Sequence, residues 1–188
     1  MFDRTTRMTI RSIDWTRDGA GILNLDTSYR TDRIYAVRSG PLGIWLVEQV
    51  LGQPVLNHYD ASGFEQDCAR ADHALVFESA NGVIRGFATV KLEPWNRSAM
   101  LSAIFVAPSF RGTGIGRVLL GEINRLLQAT PARCLRAETQ NTNYPAIGFY
   151  RALGFSLCGL DWDLYDPDTA GTETALIFTR PVVRKTAV

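Results

Sequence analysis

Cysteine is scarce: three residues in 188, Cys68, Cys134 and Cys158. An odd number at wide spacing makes neither a disulfide framework nor a metal pattern, and all three read as small buried hydrophobes. Net charge is equally scarce. Twenty basic residues face nineteen acidic ones, for a formal charge of +1, and the basic residues are scattered. No strong field is left to attract nucleic acid or an anionic membrane. No run approaches the roughly 18 apolar residues that span a bilayer. The stretch "MFDRTTRMTIRSIDW" lacks the apolar core of a secretory signal. The expectation is a cytoplasmic protein with no metal, no nucleic-acid partner and no membrane partner. Repeats, low-complexity tracts and long linkers are also missing, so residues 1–188 read as a single domain. A homodimer is among the assemblies that the sequence permits.

What is present is ordinary for a globular chain: 46% hydrophobic and 21% charged residues. "MTIRSI" alternates weakly and reads as an opening strand, while "GAGILNLDTSYRTD" gives no clear element. "RIYAVR", "SGPLG" and "IWLVEQVL" read as a β-hairpin around a Gly/Pro turn. "DASGFEQDCARA" suits a short helix capped by Asp or Ser. "HALVFES" and "VIRGFATVKLE" form a second hairpin, in which Asn81-Gly82 is expected to supply the positive φ angles of a tight turn. "SAMLSAIFVAP" adds an antiparallel strand stopped at Pro108. Apolar residues at 115, 118, 119, 123, 126 and 127 then mark an amphipathic helix. "RCLRAETQ" is a strand, and "NYPAIGFYRALGF" is a helix with Pro145 in its first turn. "SLCGLDWDLY" and "TALIFTRPV" close the chain as strands. The class is α+β (mixed α/β).

Between strand and helix lies Arg111-Gly112-Thr113-Gly114-Ile115-Gly116. Glycine permits tight turns and close approach of backbone to a ligand. The first amides of the helix point outward with partial positive charge, so a diphosphate fits there, aided by Arg111. The spacing is not that of a dinucleotide fold, and the Gly-Lys-Ser/Thr of a P-loop is absent.

Arg111-x-x-Gly114-x-Gly116, following Val106-x-Pro108, resembles the acetyl-CoA motif of the GNAT superfamily of N-acyltransferases. "AETQNTNYPAIGFYRALGF" is similar to that superfamily's second signature, and together the two cover residues 74–155. "ETQN", "GFYRALGF", "GLDWDLY" and "ETALIF" resemble the streptothricin acetyltransferases more closely, with a looser match from Asp26 to Tyr59. The resemblance implies a central, mostly antiparallel sheet of six to seven strands, splayed between two central strands and flanked by helices. It implies acetyl-CoA as co-substrate, bound by a core at 74–155. Residues 1–60 would form the substrate side and 156–188 the C-terminal strands. Backbone amides of Ile104, Phe105 and Val106, freed by a β-bulge, would hold the acetyl oxygen and pantetheine. Residues 111–116, Asn143 and Phe149 would complete the cofactor site.

Transfer of acetyl to an amine also needs a base and an acid. Glu138, ending a strand, is the candidate base. Tyr150 is the acid expected to protonate the CoA thiolate, with a buried core tyrosine as the competing role. Asn143 can cap a helix as well as bind pantetheine. Asp26, Asp32, Glu48 and Glu93 are further carboxylates for a cationic acceptor, with Asp161 and Asp163 preferred because they sit in "GLDWDLY". Trp45, Trp95, Trp162 and Tyr165 could wall its pocket. The leading function is acetylation of a primary amine on a small cationic molecule, a streptothricin-like antibiotic among them, by direct transfer in a ternary complex. The alternatives are a protein N-terminal or lysine acetyltransferase, since "AETQNTNYPAIGFY" also resembles ribosomal-protein members, and a non-catalytic acyl-CoA sensor.

Overall fold

A computed structural model describes residues 8–171 and 173–184. The chain divides into two compact units. The first comprises 8–27, 58–135 and 181–184; the second comprises 28–57 and 136–180.

In the first unit, β1 (Thr9–Ser12), β4 (His73–Glu78), β5 (Ile84–Glu93) and β6 (Ser98–Val106) are neighbours in that order, each pair antiparallel. The meander read between 74 and 106 is thus present. Its first turn differs from expectation: only Gly82 has a positive φ, at 76°, and Asn81 does not. Ser79 carbonyl accepts from Gly82 N–H at 2.8 Å, and Ser79 N–H donates to Val83 carbonyl at 3.0 Å. This is a three-residue loop in which one left-handed residue suffices, rather than a two-residue turn that needs two.

Helix α1 (Trp15–Leu23) occupies the stretch that gave no clear element. Two glycines in nine residues hide it, because glycine disfavours an isolated helix by about 1 kcal/mol each. Both are required by packing. A Cβ on Gly19 would come within 2.9 Å of the Trp15 ring, and one on Gly21 within 3.0 Å of Ile84. Asp14 caps the helix by accepting from Thr16 N–H at 3.1 Å. Ile22 is buried with Leu25, Phe64, Val76, Ile84, Phe87 and Ala103 in one apolar cluster. Asp18, 3% exposed, accepts from Arg11 and Arg17 and from its own helix's Asp14 N–H. Arg11 also bonds Glu78, tying α1, β1 and β4 together. Helix α2 (Phe64–Arg70) follows a short 3-10 turn capped by Asp60. Helix α3 (Ile115–Leu127) buries Ile115, Leu119, Ile123 and Leu127 of the face its spacing marks out, together with the unmarked Leu120, while Val118 of that stripe is exposed.

In the second unit, β2 (Tyr29–Gly40) and β3 (Gly43–Asn57) pair as a two-stranded ribbon longer than the sequence marks. Strand β7 (Cys134–Gln140) is followed by α4 (Tyr144–Ala152), with Pro145 in its first turn. β8 (Ser156–Asp161) and β9 (Ala175–Pro181) are antiparallel, joined through a short helix α5 (Pro167–Ala170) that the sequence reading does not mark. The cysteines correct one expectation. Cys134 is buried, Cys68 is half-buried with its thiol pushed up to about 11 by desolvation, and Cys158, within β8, is exposed. All three are free thiols. Among the described residues no helix is long and apolar enough to cross a membrane.

Candidate active site

Two features carry the candidate chemistry, a loop in the first unit and a recess in the second. β6 ends at Val106, and Pro108 opens a 3-10 turn that reverses the chain. Gly112 and Gly114 have φ of 76° and 98°, a region that side chains rarely adopt. A Cβ at either would meet nothing within 4 Å, so backbone alone forms this surface and the space over it is open. Thr113 braces the loop, its hydroxyl donating to Phe110 carbonyl at 2.6 Å. Arg111 Nε donates to Val106 carbonyl at 2.9 Å, which holds the start of the loop against the strand end. Gly114 is the N-cap of α3 and no side chain caps the helix. The amides of Ile115, Gly116 and Arg117 therefore form an anion-binding end, strengthened by the helix dipole. Ile115 is buried, so only its amide can serve a ligand.

Strand β6 contains a bulge: Thr89 pairs with Ala103 and Val90 with Leu101, leaving Ser102 as the extra residue. Ala107 N–H donates to Arg85 carbonyl at 2.9 Å. Because donors alternate along an antiparallel strand, Phe105 directs its amide to β5 while Ile104 and Val106 direct theirs to the opposite edge. Phe105 is committed twice over, since its ring packs with Tyr59, Phe64 and Phe87.

In the second unit, alternation along β7 buries Leu135, Ala137 and Thr139 and leaves Glu138 on the partly open face. The Tyr165 hydroxyl donates to Glu138. Burial raises the Glu138 pKa above the usual carboxylate range; the Tyr165 bond lowers it in part, and the charge of Glu173 raises it again. Tyr165 lines a recess of about 540 Å³ together with Trp162, Asp163, Glu173, Asn141 and residues of the β2–β3 ribbon that include Arg38 and Gln49. Two carboxylates, Asp163 and Glu173, thus line one opening against a single arginine, and Glu138 is bonded to Tyr165 of its wall.

Asn141 holds this wall. Its Nδ2 donates to Tyr35 carbonyl at 2.7 Å, its Oδ1 accepts from Thr174 N–H at 2.8 Å, and its backbone bonds the same two residues. Beside it, the Thr142 hydroxyl donates to Glu173. Asn143 caps α4, its Oδ1 accepting from Ala146 N–H at 3.1 Å. Tyr150, 6% exposed, stacks its ring among Phe149, Phe155 and Phe178.

The preferred acceptor residues separate. Asp163 lines the recess, whereas Asp161 does not and instead caps the turn by accepting from Asp163 N–H at 2.9 Å. Trp162 and Tyr165 are wall residues; Trp45 and Trp95 are exposed elsewhere. Glu48 is taken up by Arg33 and Tyr144 on the ribbon. Glu173 and Asn141 were not singled out from the sequence, although both lie within stretches carrying the family resemblance, "ETALIF" and "ETQN". Their roles depend on contacts across 33 residues of chain, which a local pattern cannot reveal. Among the described residues, no group of His, Cys, Asp and Glu could hold a metal ion.

Residues 44–155 match the acetyltransferase (GNAT) family profile. The chain is 34% identical over 170 residues to the streptothricin acetyltransferase of Streptomyces lavendulae, covering 87% of this chain and 90% of that protein. The crystal structure of nourseothricin acetyltransferase superimposes with a TM-score of 0.84 at 32% identity, covering 94% of this chain and 99% of that one. A Bacillus anthracis str. Ames protein crystallised with acetyl coenzyme A has the same fold, with a TM-score of 0.78 at 20% identity over 93% of this chain and 99% of that one. The chain belongs to the acetyltransferase (GNAT) family, and is an acetyl-CoA-dependent enzyme similar to the streptothricin acetyltransferases.

Proposed function

We propose that this enzyme acetylates a primary amine on a small cationic molecule of the streptothricin kind, by direct transfer from acetyl-CoA. The observation that carries this reading is the recess lined by Asp163 and Glu173, with Glu138 bonded to Tyr165 of its wall. An alkylammonium with pKa about 10.4 is attracted there, and must lose a proton at a cost of about 4 kcal/mol near neutral pH. Glu138 accepts that proton, directly or through water, and its raised pKa suits the task. The amine nitrogen then forms a bond to the thioester carbonyl carbon as the carbon–sulfur bond breaks. Tyr150 gives its hydroxyl proton to the leaving thiolate, and the surplus proton on the newly acylated nitrogen returns, through water, to the tyrosine oxygen. Amides of Ile104 and Val106 stabilise the developing oxyanion, and the loop of residues 111–116 holds the diphosphate of the co-substrate. Asn143 and Phe149 support the pantetheine arm. Asp163 is the acceptor-binding carboxylate; Asp161 supports it by fixing the turn.

The same reading takes residues 1–188 as one acyltransferase domain. Residues 1–60 supply the acceptor side, 74–155 the cofactor core and 156–188 the C-terminal strands. It takes the cytoplasm as the place of action, with the amine as partner and no role for nucleic acid or a membrane. Release of free CoA thiol, measured with streptothricin, polyamines, aminoglycosides and peptides as acceptors, tests it. Turnover with streptothricin is the expected result. Turnover with peptides alone would replace it with a protein acetyltransferase.

A further inference from the structure

Tyr165 lines the recess of the second unit, and Glu138 is not among its lining residues. The two are joined by a hydrogen bond that the Tyr165 hydroxyl donates to Glu138 Oε1. The group standing between this carboxylate and the recess is thus a phenol, and a phenol both donates and accepts hydrogen bonds. Asp163 and Glu173 line the recess directly and can hold the charge of an acceptor. The raised Glu138 sits one bond further back.

The local chain is built to aim this ring. Of residues 161–168 all are exposed except Tyr165, which is half-buried. A side-chain bond fixes the backbone on each side of it. Before it, Asp161 accepts from Asp163 N–H at 2.9 Å; after it, Asp166 caps α5 by accepting from Asp168 N–H at 2.9 Å. Aspartates in such turns replace the ladder that a loop lacks. Between these two anchors one aromatic side chain turns inward, and its polar atom ends on a carboxylate.

We infer that Tyr165 is a further catalytic residue, the relay that carries the proton of the acceptor amine to Glu138. This role rests on Glu138 being the base of the proposed reaction. The N–H bond of the ammonium breaks, leaving its electron pair on nitrogen, and the proton bonds to Tyr165 Oη. As that bond forms, the original Oη–H bond breaks and its proton joins Glu138 Oε1. The phenol is neutral before and after, the carboxylate becomes a carboxylic acid, and the ammonium becomes a free amine. Concerted movement avoids both a phenolate and a protonated phenol. Were the second proton to move first, the phenolate left behind would match the ammonium, because phenols and alkylammonium ions have ordinary pKa values of about 10 and about 10.4.

Tyr165→Phe keeps the ring in the wall and removes only the relay atom. Single turnovers with acetyl-CoA and streptothricin, on the pH plateau above the acidic limb, read proton transfer apart from any tuning of the Glu138 pKa. There the variant is expected to be about a hundredfold slower, a common worth of a positioned proton-transfer group, with acceptor KM and far-UV circular dichroism unchanged. Adding Glu138→Gln should then slow it little further, since relay and base act as one unit. In mixtures of light and heavy water the wild-type rate should fall along a curve, as two moving protons require. A straight line in the wild type, or losses that multiply in the double variant, would overturn the relay. Full plateau activity in Tyr165→Phe beside a slow Glu138→Gln would overturn it and leave Glu138 as the base. Full activity in both single variants would overturn the base as well.

Discussion

At the scale of single residues, the Glu138–Tyr165 pair sets the expected pH behaviour. Desolvation pushes the Glu138 pKa up and the hydroxyl of Tyr165 pulls it part of the way back. Tyr165→Phe keeps the ring that lines the recess but removes the lowering contact. The acidic limb of kcat/KM should then move to higher pH, because the base ionises later. Glu138→Gln should abolish that limb and lower kcat by about a hundredfold or more, the usual worth of a positioned base. A pH–rate profile across the three proteins checks both. An acidic limb unchanged in Glu138→Gln would remove Glu138 from the mechanism, whereas a shift absent only in Tyr165→Phe would remove only the tuning role of Tyr165.

At the scale of elements, the proposed co-substrate binding at the β6–α3 connection rests on backbone shape. Gly114 combines a φ of 98° with open space over its α-carbon. Alanine there costs about 1–2 kcal/mol of backbone strain and puts a methyl group where an anion would approach the amides. Calorimetry should show CoA affinity reduced about tenfold, or ~1.4 kcal/mol. Gly121 lies on the same helix with helical φ and nothing within 4 Å of an added Cβ. Gly121→Ala should stabilise the protein by about 0.5–1 kcal/mol and leave CoA affinity unchanged. Loss of affinity in both would assign the effect to general damage of α3 rather than to the loop.

For the whole molecule, stability against pH joins two opposing groups. Asp18 is held well below the usual carboxylate range, first by Arg11, then by Arg17 and the Asp14 amide, against the cost of its burial. Its contribution is fully present above the unfolded pKa, about 3.9, and is lost as pH falls toward the lower folded value. Asp18→Asn should reduce stability at neutral pH by about 3 kcal/mol and flatten the loss on acidification. Glu138 runs the other way: its folded pKa is raised, so its favourable contribution belongs to low pH and fades as pH rises through that value. Glu138→Gln should therefore stabilise the folded protein at neutral pH while it removes activity. Urea unfolding across the acid range reads both effects. A more stable but inactive variant would be the expected sign of a carboxylate kept for chemistry.

The sequence by itself determined what is local. The β4–β5 hairpin, the strand β7, the amphipathic character of α3, the Pro145 start of α4 and the glycines before α3 all follow from residue types and spacing within a few turns of chain. The shape of the loop, with Gly112 and Gly114 left-handed, was legible for the same reason, since backbone shape is encoded by the residues that adopt it. Tertiary structure alone decided the rest. Helix α1 contradicts the propensity of Gly19 and Gly21 and exists because Trp15 and Ile84 need those two positions empty. Glu173 shares a recess with Asp163 and raises the pKa of Glu138 because Asn141 and Thr142 bind residues of β2 and of the chain just before β9, while Asp161, the equal of Asp163 in the sequence, is spent on a turn. Charge in one recess is a sum over distant segments, and only folding performs that sum.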